Sequence, residues 1–403
     1  MTDFDERLRK LIHMERHNFA GSSSQAIVEL VNLIFDFAIK MRASDLHLEP
    51  YEKSLRVRYR IDGHLQELHQ PLPLSMADAL TSRIKILARM DTTTFQPLDG
   101  AIQFGNVEMR VASMPSFGAE SVTIRLLDSS LELNNLHDLG FAAANEKIFR
   151  QMIDASAGMI ILTGPMNSGK STTLYAALRE LNLPSRSIMT LEDPIEQHVE
   201  GISQVQVNEK TGLTFAVGLR AMLRMDCNVL MVGEARDAET SKIAVRAALT
   251  GHLIFTTLHA NDSCSAVFRM LEMGVEPYLL AATLNGVVAQ RLVRRLCPHC
   301  KKICADGTFE AIGCPECRGT GYSGRIALHE ILRVDKGLRS LILTSRDLDE
   351  IRTVALDAGL KTLADDALEK VRTGVTTLDE VHRVLGVEVF DDPRNEAERI
   401  RRA

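Results

Sequence analysis

The sequence predicts an α/β protein in which a mixed α/β domain precedes a larger domain built on a parallel sheet. The stretch "SLRVRYRIDGHLQEL" alternates apolar and charged residues around Asp62-Gly63, a strong signal for a β-hairpin. From about residue 135, short apolar runs alternate with helical stretches, as in parallel sheets that carry helices on both faces. An eight-residue loop, "GPMNSGKS", follows the first of these runs and precedes a helical stretch.

The apolar runs of the second domain are predicted parallel strands, because they are short and unbroken. They are "GMIILTG", "SIMTLED", "VLMVGE" and "LIFTTLH". In the first domain, "AIVELVNLIFDFAIKM" places Ile27, Leu30, Val31 and Ile34 at helical spacing, and "NVEMRVASMP" and "ESVTIRLLD" are predicted strands. Near the C-terminus, "HEILRVDKGLRSLI" and "LDEIRTVALDAGLKTLADDALEKVRTG" are predicted helices.

These changes of pattern divide the chain into six predicted segments. They are a short charged N-terminal segment (1–21), the mixed α/β domain (22–130), the parallel-sheet domain (135–295), a cysteine-rich module (296–325), a helical region (326–390) and a charged tail (391–403).

Composition indicates an ordinary globular protein and argues against some functions. The chain has 403 residues, of which 45% are hydrophobic and 25% charged, and a formal net charge of −6. An acidic chain without Trp and with five Tyr is poorly suited to a general nucleic-acid-binding surface. The charged start lacks the apolar core of a signal peptide, and no apolar run approaches the roughly 20 residues that span a bilayer. We therefore expect a cytoplasmic protein with reduced thiols.

The loop "GPMNSGKS" fits the phosphate-binding pattern G-x-x-x-x-G-K-[ST]. In such a loop, backbone N–H groups surround a phosphate, Lys170 adds positive charge, and Ser171 offers a hydroxyl to Mg²⁺. The strand before it and the amphipathic helix after it favour this interpretation over a chance match. The predicted phosphate-binding residues are Gly164, Pro165, Met166, Asn167, Ser168, Gly169, Lys170, Ser171 and Thr172.

Acids at the ends of two predicted strands are candidates for the chemistry at the bound phosphates. Glu234 ends "VLMVGE", and Glu192 and Asp193 end "SIMTLED". Because ligands bind at the carboxyl edge of an open α/β sheet, these acids can orient water or help to hold a metal ion, although they could instead cap helices. His252 and His259 could sense the γ-phosphate or satisfy a core hydrogen bond, and their spacing does not decide between the two.

Two C-x-x-C pairs separated by thirteen residues predict a structural zinc site, because four thiolates complete a tetrahedral shell. A redox pair is a poor rival, since both pairs are complete and stand beside turn-forming residues. Cys304 lies between the pairs and could compete as a ligand, whereas Cys227 and Cys264 are expected to be buried thiols. The predicted ligands are Cys297, Cys300, Cys314 and Cys317.

Taken together, these motifs resemble one family, the motor ATPases of type II secretion and type IV pilus assembly. "GPMNSGKSTTLYAALRELN" resembles its Walker A region, "TLEDPIE" its Asp box, "GLRAMLRMDCNVLMVGEARDAET" its Walker B region and "GHLIFTTLHANDS" its His box. "LNGVVAQRLVRRLCPHC" and "CPECRGTGYSGRIALHE" are similar to its tetracysteine module, and "AIKMRASDLHLEP" and "VRYRIDGHL" to the domain before the motor. The likeness runs from about residue 25 to 387.

The resemblance implies a RecA-like P-loop domain that binds ATP, Mg²⁺ and Zn²⁺, and it implies roles for individual residues. Glu234 would be the catalytic glutamate, assisted by Glu192 and Asp193, and His259 and His252 would report on the γ-phosphate. Four arginines would approach the phosphates, although each could equally form a surface ion pair worth under about 1 kcal/mol. They are Arg220 and Arg224 of the motor domain and Arg110 and Arg125 of the N-terminal domain.

The resemblance further implies a homohexamer in which the N-terminal domain closes over the nucleotide. Such a ring would work at the cytoplasmic face of the inner membrane, as a peripheral protein, on a polytopic platform protein. It would extend a pilus or a secretion pseudopilus, with no nucleic acid involved. Only about twenty residues precede the shared core, so docking is expected to use another surface or those short charged helical turns.

Three alternatives stay open from the sequence. A retraction motor is disfavoured because such motors of this superfamily generally lack the four cysteines. A nucleic-acid motor would use the basic run "RLVRRLCPHCKK", which otherwise indicates a solvated face or a protein contact. A scaffold with a degenerate nucleotide site is kept open by departures from the usual family pattern at Met166-Asn167 and Cys227-Asn228.

Overall fold

The computed structural model of the chain describes residues 2–17, 25–68, 70–127, 135–304, 307–345 and 347–387. The chain folds into two compact units, Met1–Leu131 and Glu132–Ala403. No helix within the described ranges is both long and apolar enough to cross a membrane. The predicted charged tail, 391–403, and residues 18–21 of the predicted N-terminal segment lie outside the described residues.

In its described residues, the first unit is a seven-stranded antiparallel sheet with three α-helices. Its spatial strand order is β3-β2-β1-β7-β6-β5, and β4 pairs with β2. The elements, in chain order, are α1 (Thr2–His17), α2 (Gln25–Lys40), β1 (Ala43–Pro50), β2 (Ser54–Ile61), β3 (His64–Glu67), β4 (Leu72–Pro73), α3 (Ala77–Leu87), β5 (Leu98–Phe104), β6 (Val107–Ser116) and β7 (Ala119–Leu127).

The predicted helix and hairpin of this unit are confirmed. Helix α2 buries the apolar positions that its spacing indicated, and β2 alternates buried apolar residues with arginines. Asp62 and Gly63 have φ angles of 48° and 84°, so both adopt the left-handed backbone that a two-residue hairpin turn requires. Helix α1 adds Leu8, Leu11 and Ile12 to the same core, so the N-terminal segment is amphipathic as well as charged.

The second unit contains a seven-stranded sheet in the order β10-β9-β11-β12-β8-β13-β16. All neighbours pair in parallel except β13 and β16, which pair antiparallel. The first part comprises α4 (Ala143–Ile153), β8 (Gly158–Thr163), α5 (Lys170–Leu181), β9 (Ile188–Glu192), β10 (Ser203–Gln206), α6 (Phe215–Met222), β11 (Val229–Val232), α7 (Ala238–Leu249), β12 (Leu253–Leu258), α8 (Ser263–Glu272) and α9 (Pro277–Thr283). The predicted parallel sheet is therefore confirmed.

The remaining elements complete the sheet, form a small hairpin and end in helices. They are β13 (Leu284–Leu296), β14 (Lys301–Ile303), β15 (Phe309–Ala311), β16 (Tyr322–Arg333), α10 (Lys336–Thr344), α11 (Leu348–Asp357), α12 (Leu363–Arg372) and α13 (Leu378–Leu385). The prediction of helix over 326–333 is wrong, because these residues form most of β16. Residues 327–332 are buried without interruption, and such a run cannot be distinguished from a buried helix by periodicity.

The C-terminal helix α13 is attached to β13 by one buried carboxylate. Glu380 accepts hydrogen bonds from Arg294 Nη2 at 2.7 Å, from the Arg294 backbone N–H at 3.0 Å and from Arg383 Nη2 at 2.6 Å. Burial alone would raise the pKa of Glu380, but the hydrogen bonds from Arg383 and Arg294 outweigh it and lower this pKa to about 2.

We expect Glu380→Gln to lower the free energy of unfolding by about 2–4 kcal/mol at pH 7, because two arginines lose their buried counter-charge. A carboxyl whose pKa is depressed by folding stabilises the protein above its unfolded pKa of about 4.3. That contribution is lost as the pH falls towards 2. The difference between variant and wild type should therefore shrink between pH 5 and pH 2 in urea titrations. Glu369→Gln, an exposed change on α12, should have little effect at either pH.

Candidate phosphate-binding and metal sites

The predicted phosphate loop joins β8 to α5 at the carboxyl edge of the parallel sheet. Its backbone lies so close to β13 that two positions accept no side chain. A Cβ at Gly164, where φ is 148°, would come within 2.5 Å of the Gln290 carbonyl oxygen. A Cβ at Gly169, where φ is 86°, would come within 2.7 Å of Gln290 Nε2. Asn167 also adopts a left-handed conformation, with φ at 61°.

The side chain of Gln290, on β13, holds this loop in place through hydrogen bonds. It is 2% exposed, and its Nε2 donates a hydrogen bond to the Ser168 carbonyl oxygen at 2.9 Å. Its Oε1 accepts one from the Thr173 hydroxyl, on α5, at 2.8 Å. Gln290 could not be predicted from the sequence, because no local pattern shows that a residue some 120 positions later lies under the loop.

Lys170 begins α5 and faces back into the loop. Its Nζ donates hydrogen bonds to the carbonyl oxygens of Gly164 at 2.7 Å and Pro165 at 2.9 Å. Burial lowers the pKa of Lys170 to about 8; the nearby charge of Arg291 acts in the same direction and that of Glu234 opposes it. Ser171 and Thr172 follow in the first turn of α5, partly buried. The positive end of that helix and a cationic lysine suit a phosphate group.

Glu234 and His259 meet beside the phosphate loop. Glu234 follows β11 by two residues, and its Oε1 lies 3.1 Å from His259 Nε2. The other ring nitrogen, Nδ1, lies 3.2 Å from the Gly164 carbonyl oxygen. The imidazole ring of His259 therefore lies between a carboxylate and a carbonyl oxygen of the loop. The structure thus brings a carboxylate and an imidazole to the loop.

Arg236 is a charged residue of this site that the sequence analysis did not single out. Its Nε donates a hydrogen bond to Glu234 Oε2 at 2.6 Å, and its Nη1 lies 3.7 Å from Asp193 Oδ2. Its guanidinium therefore lies between the two carboxylates. The signal was available, because Arg236 follows the strand-end glutamate by two residues, but a lone arginine in a loop carries little weight in a sequence.

The two acids after β9 have different surroundings. Glu192 is 5% exposed and accepts hydrogen bonds from the Tyr175 and Thr190 hydroxyls and from Gln204 Nε2. Asp193 is exposed and faces Arg236, and its peptide bond to Pro194 is cis. Of this pair, Asp193 is thus the acid accessible to a ligand, whereas Glu192 is engaged within the protein.

The structure does not bring His252 to the phosphate loop. This residue precedes β12, at the sheet edge opposite to the loop, and its Nδ1 lies 3.1 Å from the Ala247 carbonyl oxygen at the end of α7. The whole length of β12 therefore separates His252 from the phosphate loop of the same chain. Its role at the γ-phosphate stays a prediction, as does the alternative that it satisfies a core hydrogen bond.

The four predicted phosphate-contacting arginines are divided between the two units. Arg220 forms an ion pair with Glu239, and Arg224 follows α6 on the surface. Arg110 and Arg125 belong to the first unit, where they lie opposite each other on β6 and β7. Their roles stay predictions.

The four predicted metal ligands come together at one point. Their Sγ atoms all lie within 4.8 Å of one another, and three of the pairs are 3.6–3.8 Å apart. Four thiolates at 2.3 Å around a tetrahedral zinc ion would be about 3.8 Å apart, so the donor set fits such an ion. The backbone N–H groups of Cys314 and Gly321 donate to Cys317 Sγ at 3.1 and 3.2 Å, which stabilises a thiolate.

The other three cysteines lie outside this cluster. Cys304 is not part of the four-sulfur cluster, so it does not compete as a ligand in this conformation. Cys227 and Cys264 are buried, and burial raises the pKa of both thiols, that of Cys264 to about 12.

A phosphate loop at the carboxyl edge of a parallel sheet, with a strand-end glutamate beside it, defines the class of P-loop ATPases. Residues 21–383 match the family described as "Type II/IV secretion system protein". The chain belongs to this family. Among curated relatives, the type II secretion system ATPase E of Vibrio cholerae is 45% identical over 379 residues, which cover 89% of this chain and 75% of that protein. The type IV pilus assembly ATPase PilB of Myxococcus xanthus is 44% identical over 380 residues, which cover 88% of this chain and 67% of that protein.

Solved structures agree with this placement. The pilus retraction motor PilT with bound ADP matches with a TM-score of 0.65 and 27% identity, over 91% of this chain and 98% of that one. The ATPase DotB of Legionella pneumophila matches with a TM-score of 0.67 over 87% of this chain and 93% of that one. At 24% identity, the DotB match speaks for the fold alone.

We expect Gln290→Leu to weaken nucleotide binding about tenfold, because the loop loses the hydrogen bond to Ser168 while the apolar replacement keeps a similar volume. Titration with a fluorescent ATP analogue would measure the affinity. Gln151→Leu, on the exposed side of α4, is the matched control and should bind like the wild type. Unchanged affinity in a folded Gln290→Leu protein would contradict the supporting role.

We expect the purified protein to hold about one zinc ion per chain, measured by elemental analysis. The double change Cys300→Ser and Cys314→Ser should remove the metal and lower the melting temperature, because metal binding and local folding are coupled. Cys304→Ser should keep the metal. Loss of zinc from the Cys304→Ser protein would instead show that this residue is a ligand.

Proposed function

We propose that this protein is a hexameric ATPase that powers the extension of a type IV pilus or a type II secretion pseudopilus. The observation that carries the proposal is the 45% and 44% identity, over 89% and 88% of the chain, to relatives named as a secretion ATPase and a pilus assembly ATPase. The complete phosphate loop with Glu234 and His259 beside it supports an active site rather than a degenerate one.

In the proposed reaction, the loop N–H groups and Lys170 bind the β- and γ-phosphates of ATP. Glu234 orients the attacking water and accepts its proton, and His259, bonded to Glu234, reports on the γ-phosphate. Mg²⁺ supplies charge neutralisation at the phosphates when bound, and Ser171 and Asp193 are the residues that would hold it. The remaining work is positioning and electrostatic stabilisation, since phosphoryl transfer requires little covalent chemistry from the protein.

In the proposed mechanism, the N-terminal unit is the part of the protein that moves. Arg110 and Arg125 would approach the nucleotide when this unit closes, and Arg220 and Arg224 would do so from the motor unit. An arginine delivered to the transition state can raise the rate by about 10³-fold or more. The ring would sit at the cytoplasmic face of the inner membrane and pass the closure to a polytopic platform protein. Neither the ring nor the proposed movement requires nucleic acid.

Retraction of a pilus is the second candidate, because the retraction motor PilT shares the fold at a TM-score of 0.65. Its identity to this chain, 27%, is well below that of the assembly ATPases, and the four-cysteine cluster favours extension. Counting surface fibres in a strain that lacks the protein would decide between the two. Loss of fibres supports extension, whereas an excess of fibres would favour retraction.

We expect Glu234→Gln to lower kcat about 10²- to 10⁴-fold while ATP binding is kept, because the amide can hold the water but cannot accept its proton. Phosphate release by the purified protein with Mg²⁺ and ATP is the measurement. Glu272→Gln, an exposed change on α8, should retain the wild-type rate. Wild-type turnover in the Glu234→Gln protein would remove the proposed role of this glutamate.

A further inference from the structure

The segment 193–199, between β9 and β10, carries Asp193. Polar side chains outside the proposed ATPase chemistry form hydrogen bonds with its backbone. Three of its backbone N–H groups and one of its carbonyl groups are bonded to side chains of Tyr175 and Gln204. Gln206 accepts a further hydrogen bond from the Ile195 backbone N–H at 3.3 Å. These five hydrogen bonds restrict the conformation of the segment.

Tyr175 makes the central contact. Its hydroxyl donates a hydrogen bond to Glu192 Oε2 and accepts hydrogen bonds from the backbone N–H groups of Glu196 at 3.3 Å and Gln197 at 3.2 Å. One oxygen atom thus joins the residue before Asp193 to the residues three and four positions after it. Asp193 lies in a short loop that this hydroxyl closes.

The position of Tyr175 relates that loop to the phosphate site. It lies on α5, four residues after Ser171, so the two side chains share one face of the helix about one turn apart. The same helix therefore carries the hydroxyl proposed for Mg²⁺ and the hydroxyl that holds the Asp193 loop.

Gln204, on β10, completes the arrangement from the other side. Its Nε2 donates hydrogen bonds to Glu192 Oε1 at 3.1 Å and to the Gln197 carbonyl oxygen at 2.8 Å, and its Oε1 accepts one from the Val199 backbone N–H at 2.7 Å. Glu192 therefore accepts hydrogen bonds from both Tyr175 and Gln204. These contacts explain why this acid is buried while Asp193 is exposed.

We propose that Tyr175 is a positioning residue for ATP hydrolysis: its hydroxyl fixes Asp193 relative to Ser171, and so sets the geometry in which Mg²⁺ is held. This inference rests on the proposed function, which assigns Asp193 and Ser171 to the metal. Tyr175 does not contact the nucleotide in this role. It acts through the loop, and Glu192 serves as the anchor of that loop rather than as a metal ligand.

The chemistry of the hydroxyl agrees with this role. Burial and the adjacent Glu192 carboxylate raise the pKa of Tyr175, so the phenol stays protonated and remains a donor at neutral pH. A phenylalanine would keep the ring in the core and remove three hydrogen bonds that involve one oxygen atom. The substitution Tyr175→Phe therefore tests the positioning role with little change in packing.

The experiment compares Tyr175→Phe with the wild-type full chain by phosphate release over a series of Mg²⁺ concentrations. We expect kcat to fall about 10- to 100-fold, as for a small misplacement of a reacting group, and the half-saturating Mg²⁺ concentration to rise. Affinity for ATP in the presence of a chelator should stay at the wild-type value, because the phosphate loop is untouched.

Tyr59→Phe is the matched control. Tyr59 is 2% exposed in the first unit, and no hydrogen-bond partner of its hydroxyl lies among the described residues. Its removal should leave kcat and the Mg²⁺ dependence unchanged, although it also deletes a buried tyrosine hydroxyl. A general loss of stability would lower the melting temperature without shifting the Mg²⁺ dependence.

A double change separates action through Asp193 from any other effect. Asp193→Asn alone should lower kcat, and Tyr175→Phe should then add little, because the carboxylate that it positions is already gone. If the fold-reductions in kcat of the two single variants multiply in the double variant, the proposal is overturned. A wild-type rate in either single variant would also overturn it. A wild-type protein that releases no phosphate would instead contradict the proposed function itself.

Discussion

The position of the phosphate loop depends on its close approach to β13 and on the buried side chain of Gln290. Two glycines of the loop come so near to Gln290 that a methyl group at either position would collide with it. The same side chain bonds the loop at Ser168 and the following helix at Thr173. Gln290 therefore orients Lys170, Ser171 and the positive end of α5 without needing to contact a nucleotide. The acids beside the loop are positioned by the neighbouring strands of the same sheet.

Local patterns predicted the elements well, because each reflects interactions between residues close in sequence. The hairpin at Asp62-Gly63, helix α2 and the four parallel strands were all readable from turn residues and periodicity. The four-cysteine cluster was equally clear, since two C-x-x-C pairs separated by thirteen residues are close enough in sequence to converge. Such signals do not depend on how distant segments pack.

The features that the sequence did not reveal depend on distant packing. Gln290 and Tyr175 look like ordinary polar and aromatic residues until the fold places them under the loop and beside Glu192. His252 shows the converse. Its pattern suggested a contact with phosphate, but only the direction of β12 shows that it lies at the far edge of the sheet. The strand β16 was misread because burial on all sides removes the alternation that identifies a strand.

Strand β13 connects the cysteine module to the nucleotide site. Gln290 lies near its middle and Cys297 directly follows its last residue, roughly 23 Å further along at about 3.3 Å per residue. The strand is hydrogen-bonded to β8 along its first half and to β16 along nearly its whole length, with a register irregularity between Arg294 and Leu296. The module thus continues directly from a strand of the ATPase sheet, so a displacement of β13 would be felt at both the phosphate loop and the cysteine cluster.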